Sequence, residues 1–202
     1  MKKQFYFMAI IYIAIATTVI SCQKETIILP PDTSLEITVT DDFGNIVRGA
    51  TVELYATEND FYDATNVIET GLTDANGRIT FGNLSSAKYY WYVSKDCKNN
   101  MNGGFGVTSA IPNNKVSIIS TVISSTGTLK FVNTSNNPYE VYVNGTLAIS
   151  NLQGGYNQSL TFEPTGSYSF RVVQISGYNY NPADITYSGT LTCGETLTTT
   201  FP

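Results

Sequence analysis

The chain has 202 residues, 42% of them hydrophobic, with 16 acidic and 11 basic side chains and no histidine. Without imidazole there is no ordinary neutral-pH general base, no common transition-metal ligand, and no Ser–His or Cys–His nucleophile pair. An acidic surface without a basic cluster argues against nucleic acid as a partner and against docking on anionic lipid.

Lys2-Lys3 stand before an apolar run from Phe5 to Ile20, and Ser21-Cys22 follow. A basic start, an apolar middle and a small residue at the end describe a secretory signal peptide. The run is 16 residues long, short of the about 20 that a membrane-spanning helix needs. Val19-Ile20-Ser21-Cys22 resembles the bacterial lipobox. The resemblance implies cleavage after Ser21 and acylation of Cys22, with palmitate-type chains anchoring the mature N-terminus. One acyl chain binds membranes only marginally; lipoproteins of this kind carry more than one, which implies a firm anchor. Gln23-Lys24-Glu25 resembles the surface-export signal of Bacteroidetes lipoproteins and implies an outward-facing position on the outer membrane. Its plainer reading is an ordinary tether, residues 22–33, with Pro30-Pro31 near its end. Losing the first 21 of 202 residues leaves 181, and 9 basic against 16 acidic side chains, a formal charge of −7.

Leu35–Thr40 alternates apolar and polar residues, the mark of a half-buried strand. After an Asp-rich turn, Gly49–Tyr55 alternates again with Ala50, Val52 and Leu54 inward. Val67–Thr73 is a third short strand, and Thr73–Gly77 a tight turn. Arg78–Phe81 follows. In the next strand Tyr89, Trp91 and Val93 share one face, and Tyr90 and Tyr92 the other. Val116–Val122 closes the unit, which shows no helix-period segment of useful length. Asp42-x-Gly44, Val47, Gly49–Val52, Thr73-Asp74-x-Asn76-Gly77, Phe81 and Tyr89-x-Trp91-x-Val93 resemble, in that order, the carboxypeptidase regulatory-like, or transthyretin-like, β-sandwich family. The resemblance covers about residues 34–124 and implies packing and surface roles without catalysis.

Ser124–Gly127 reads as a break between units. Thr128–Val132 begins a second set of strands. Tyr139–Val143 runs into Asn144-Gly145, the strongest short hairpin signal, and Thr146–Ile149 returns. Leu160–Phe162, Tyr168–Val173, Ile185–Leu191 and Glu195–Phe201 complete the set. The predicted fold class is all-β: two tandem small antiparallel β-sandwiches, residues 34–125 and 126–202. The second is small enough to be marginal alone and to lean on the first.

Four constellations invite chemistry. Asp41-Asp42 and Asp74-x-Asn76 offer calcium-type oxygens, but both lack a closing Glu, and turn formation explains them. Cys97 and Cys193 can form a bridge that staples the two units in an oxidising compartment, or stay as separately buried thiols. Tyr178 and Tyr180, in the Ser176–Pro182 loop, suit sugar or protein contacts; Lys98–Gly104 is a candidate partner loop, and folding back onto the core is the plain alternative. No carboxylate pair stands out for hydrolysis. The first strand has no Lys for an isopeptide bond. The reading is a non-enzymatic surface lipoprotein, without metal or cofactor, acting as a binding or accessory module for glycan or protein. A structural or fimbrial-type surface subunit is the alternative.

Overall fold

The structure, a computed structural model, describes residues 32–103, 106–177 and 183–202. Cys22 and the signal segment lie outside the described residues, as do Tyr178 and Tyr180. The strands are β1 (Ser34–Asp41), β2 (Thr51–Tyr55), β3 (Glu69–Leu72), β4 (Arg78–Phe81), β5 (Tyr90–Lys95), β6 (Lys98–Asn99), β7 (Gly106–Val107), β8 (Val116–Asn133), β9 (Tyr139–Val143), β10 (Thr146–Leu152), β11 (Asn157–Pro164), β12 (Gly166–Gln174), β13 (Asp184–Leu191) and β14 (Thr196–Phe201). A six-residue helix, α1 (Glu58–Asp63), follows β2, and a 3-10 turn covers Met101–Gly103.

The all-β class is the predicted one. Inward residues of β1 (Leu35, Ile37, Val39), β2 (Ala50, Val52, Leu54) and β5 (Trp91, Val93) form the first core with Phe81, Tyr89, Ile111 and Ile123. One layer is β4-β1-β8, and the other is β3-β2-β5 with β6 and β7. The second core lies between β11-β8-β14 and β10-β9-β12-β13. Leu129, Phe131, Tyr139, Val141, Phe170, Val172 and Phe201 fill it. The Asn144-Gly145 hairpin forms as predicted: both residues hold positive φ, 48° and 83°, as a two-residue turn matched to strand twist requires.

Two features differ from the expectation. The pairings of β8 with β1 and with β14 are parallel, not antiparallel. Ser124–Gly127, expected as a break, is extended backbone inside the 18-residue β8. The first part of β8 pairs with β1 through Ile123, and the last part with β11 and β14. At about 3.3 Å per residue the strand runs roughly 55–60 Å. Ile123, Leu129 and Phe131 are fully buried, and all occupy odd positions. The alternation therefore passes through the junction without a phase change, and one strand serves both cores. The described residues form one compact unit.

The helix α1 is absent from the sequence expectation because six residues carry too little periodicity. Its local cause is capping. Thr57 Oγ1 accepts from the Asp60 backbone N–H at 3.1 Å, and Glu58 and Asp60 place negative charge at the positive end. Phe61 is its buried residue.

Candidate functional site

The chemistry-bearing residues gather where β8 passes from one core to the other. Thr126 is the centre. Its backbone N–H donates to the Cys97 carbonyl at 3.0 Å, and its own carbonyl accepts from the Gly194 N–H at 2.8 Å. Its hydroxyl accepts from the Asn99 amide at 2.7 Å and donates to the Cys97 carbonyl at 3.2 Å. Cys97, in the turn between β5 and β6, is bonded to Cys193, in the turn between β13 and β14. Their Cα atoms are 5.5 Å apart, inside the range a disulfide spans. Both turns thus sit on Thr126, along the edge of β8 to which its N–H and carbonyl point, and the covalent link joins them at the passage between cores. Gly127 is dictated by the same crowding. A Cβ there would come within 2.8 Å of the Glu195 carbonyl and of the Leu191 side chain.

The Lys98–Gly104 stretch, a candidate partner for the Ser176–Pro182 loop, is connective at its start. Asn100 is buried; its side chain accepts from the Val93 N–H at 2.8 Å and donates to the Trp91 carbonyl at 3.1 Å. The Asn99 carboxamide oxygen accepts from the Met101 N–H at 3.0 Å. These amides hold β5, β6 and the 3-10 turn together, so their polarity is spent inside the fold.

The acidic turns follow local chemistry. Asp41 accepts from the Phe43 and Asn45 N–H groups at 3.0 and 2.9 Å. Partial burial pushes its pKa up, but these hydrogen bonds and the Asn45 amide outweigh it and hold the carboxyl below the ordinary value. Asp74 accepts from the Arg78 and Asn76 N–H groups, each at 2.8 Å. The Arg78 N–H is the main reason that its carboxyl is held below the ordinary value. Among the described residues no three His, Cys, Asp or Glu side chains converge on a metal position. No helix among the described residues is long and apolar enough to cross a membrane.

Beside the junction lies an aromatic cleft of about 190 Å³. Its floor is the outer face of the first sandwich, where Glu53 on β2 stands opposite Tyr92 on β5, and Tyr55 opposite Tyr90. One wall is α1, with Phe61 packed edge-on to Tyr55 at 5.7 Å. Met101 lies at one end. The other wall comes from the second sandwich. A bulge in β11 between Leu160 and Glu163 holds Phe162 at φ 60° and aims its ring at Tyr92, 6.3 Å between centroids. A bulky residue in left-handed backbone is uncommon, and bulges often re-aim a side chain in this way. The Tyr55 hydroxyl donates to Glu53 at 2.7 Å. Burial first, and then the Glu53 hydrogen bond, push its pKa up. Burial and the Glu53 charge push Tyr92 up as well. The cleft is therefore a set of neutral rings around one carboxylate. The sequence showed Tyr90 and Tyr92 on the second face of their strand, but nothing in it signalled the bulge that brings Phe162 across.

No protein-family profile and no curated protein matches the chain. Among solved structures it is similar to a Streptococcal ancillary pilin, at 13% identity and TM-score 0.39, over 83% of this chain and 62% of that one. It is similar to the Bacillus anthracis TIE protein at 20% identity and TM-score 0.35, over 85% of this chain and 34% of that one. It is also similar to GBS52, the minor pilin of Streptococcus agalactiae, at 18% identity and TM-score 0.37, over 83% and 94% of the two chains. The chain thus spans less than two thirds of the first two, and likenesses this distant assign it no function.

Proposed function

We propose that this chain is a non-catalytic structural module of the cell surface: a stiff double sandwich held at the outer membrane by acylated Cys22. One observation carries the reading. A single strand, β8, belongs to both cores and is fastened at Thr126 by the turns bearing Cys97 and Cys193. Two sandwiches joined by a flexible linker would swing independently; two that share a strand transmit force and orientation from one to the other. Such a body suits a spacer or accessory part that holds something away from the membrane. The lipobox resemblance supplies the tether, and the lack of histidine supports a non-catalytic role.

The test has two arms. Replacing Cys22 by Ala should abolish lipid labelling and membrane fractionation while leaving the β-sheet circular dichroism intact. A variant that still partitions with membranes contradicts the anchor. Externally added protease should cleave the anchored protein on intact cells, and faster after reduction of the Cys97–Cys193 pair. Full protection in both states contradicts outward exposure.

A second reading, a subunit of a surface fibre, has its own support. Over residues 116–123, β8 pairs with β1 on one side, and no described strand pairs with its other edge. Val116, Ile118 and Val122 are exposed along it, Ile118 at 69%. An apolar open edge is a template for a strand from another chain. High-mass ladders on gels and an N-terminus well past Cys22 would favour that reading; lipid retained on Cys22 in the mature protein would count against it.

A further inference from the structure

We propose that the cleft between α1, the outer face of β2 and β5, and the β11 bulge binds a small organic cation of the alkylammonium class, such as a trimethylammonium head group. The argument begins with what lines the cleft. Five of its residues are aromatic, on four separate elements: Tyr55, Phe61, Tyr62, Tyr92 and Phe162. Ring faces carry negative quadrupole density and attract a cation within about 6 Å of the centroid. Here two edge-to-face pairs, Tyr55–Phe61 and Tyr92–Phe162, each join a ring of the floor to a ring of a wall.

Charge decides between ligand classes. Among the described residues the one acid of the lining is Glu53, and no Lys, Arg, Asn or Gln lines the cleft. A sugar would need several placed donors as well as acceptors. Glu53 only accepts, the Tyr55 hydroxyl is already committed to it at 2.7 Å, and beyond these the described lining offers the Tyr62 and Tyr92 hydroxyls alone, too few for a sugar ring. A cation needs the reverse: acceptors, rings and a counter-charge. Lys98, on the neighbouring strand β6, is paired with Asp41 at 3.8 Å. Lys88 sits over the Tyr90 ring at 4.9 Å, so a neighbouring ring on the same sheet face already takes an ammonium group. Size agrees too. Sites for drug-sized ligands begin at about 300 Å³; about 190 Å³ suits a head group.

The second observation is backbone conformation. Phe162 is held in left-handed backbone at φ 60°, and its ring is left 43% exposed over the cleft. Such a conformation has a conformational cost and persists where the surrounding structure requires it. Its effect is to complete the ring wall from the other sandwich. The cleft therefore exists only when both sandwiches are in place.

The experiment is calorimetric titration of the full mature chain, anchor included, in a polyoxyethylene detergent. The titrants are choline chloride and tetramethylammonium chloride, with sodium chloride as control. The neutral isostere 3,3-dimethylbutanol and a panel of methyl glycosides are run in parallel. Saturable choline binding is expected, with the isostere at least about tenfold weaker. Glu53→Gln keeps the hydrogen bond from Tyr55 and should weaken choline about tenfold. Tyr92→Leu and Phe162→Leu remove a ring but keep bulk, and each should weaken it about 2- to 30-fold, the range a cation–π contact spans. Either leucine variant serves if the other fails to fold. Phosphocholine bound as tightly as choline supports a lipid or polymer head group as the source; weaker binding supports a free cation. Equal binding of the isostere, glycoside binding that depends on Tyr92 and Phe162, or no cation binding in folded protein overturns the proposal.

Discussion

At the scale of single residues, several positions are fixed by close approach. Gly106, on β7, faces the Trp91 ring so closely that an added Cβ would lie within it. Gly106→Ala is expected to destabilise the protein by about 1–3 kcal/mol, as overpacking does, measured by urea unfolding with Trp91 fluorescence. No change in midpoint would mean that the β7 segment packs elsewhere. Asp74 gives a pH-dependent counterpart. Backbone hydrogen bonds hold its carboxyl below the ordinary value of 3.8, so the folded state favours the ionised form. Its contribution is complete above that value and is lost as pH falls through the lower, folded one. Asp74→Asn keeps the shape of the turn and removes this titration. The variant's melting temperature should fall less steeply below pH 4 than the parent's; parallel curves would refute the assignment. The turn role of Asp74-x-Asn76 was legible because Asx side chains close on their own backbone. The bulge at Phe162 was not legible, because a left-handed Phe leaves no local signature.

At the scale of elements, most strands were legible because period-2 alternation is a direct readout of a half-buried face. Ala50, Val52 and Leu54 are each fully buried, and Tyr89, Trp91 and Val93 share the first core. The continuity of β8 was not legible, because Ile118 and Val122 at even positions and Ile119, Ile123, Leu129 and Phe131 at odd ones put apolar residues on both faces. Small polar residues at Ser124–Gly127 masked it. Their strand pairing is supplied from far away in sequence, by Lys98 and Asn99 of β6, and local composition does not carry such a partner. Parallel pairing with β1 and β14 is equally non-local. The Cys97–Cys193 pair, 96 residues apart, closes the same junction. Replacing both by Ser should cost about 2–5 kcal/mol, the range for a native disulfide around so long a loop. The loss should appear in denaturant midpoint with the fold retained. An unchanged midpoint would show that Thr126 and its hydrogen bonds hold the junction unaided.

At the scale of the whole molecule, the second sandwich is small for independent stability, and the structure shows where its support comes from. Its central layer is built on β8, which the first core also buries. The aromatic cleft follows the same logic, with Tyr92 from one sandwich and Phe162 from the other. The central claim is that the two cores stand or fall together. Native-state hydrogen exchange tests it most directly. Val172, fully buried in the second core, is replaced by Ala, at a cost of about 2–4 kcal/mol by the range for core truncations. Exchange is then followed at Ile37 and Val93 in the first core and at Val141 in the second. Shared unfolding predicts that the protection free energies at all three positions fall together by the same amount. A fall at Val141 alone, with Ile37 and Val93 unchanged, would contradict it and leave two independent domains that happen to touch.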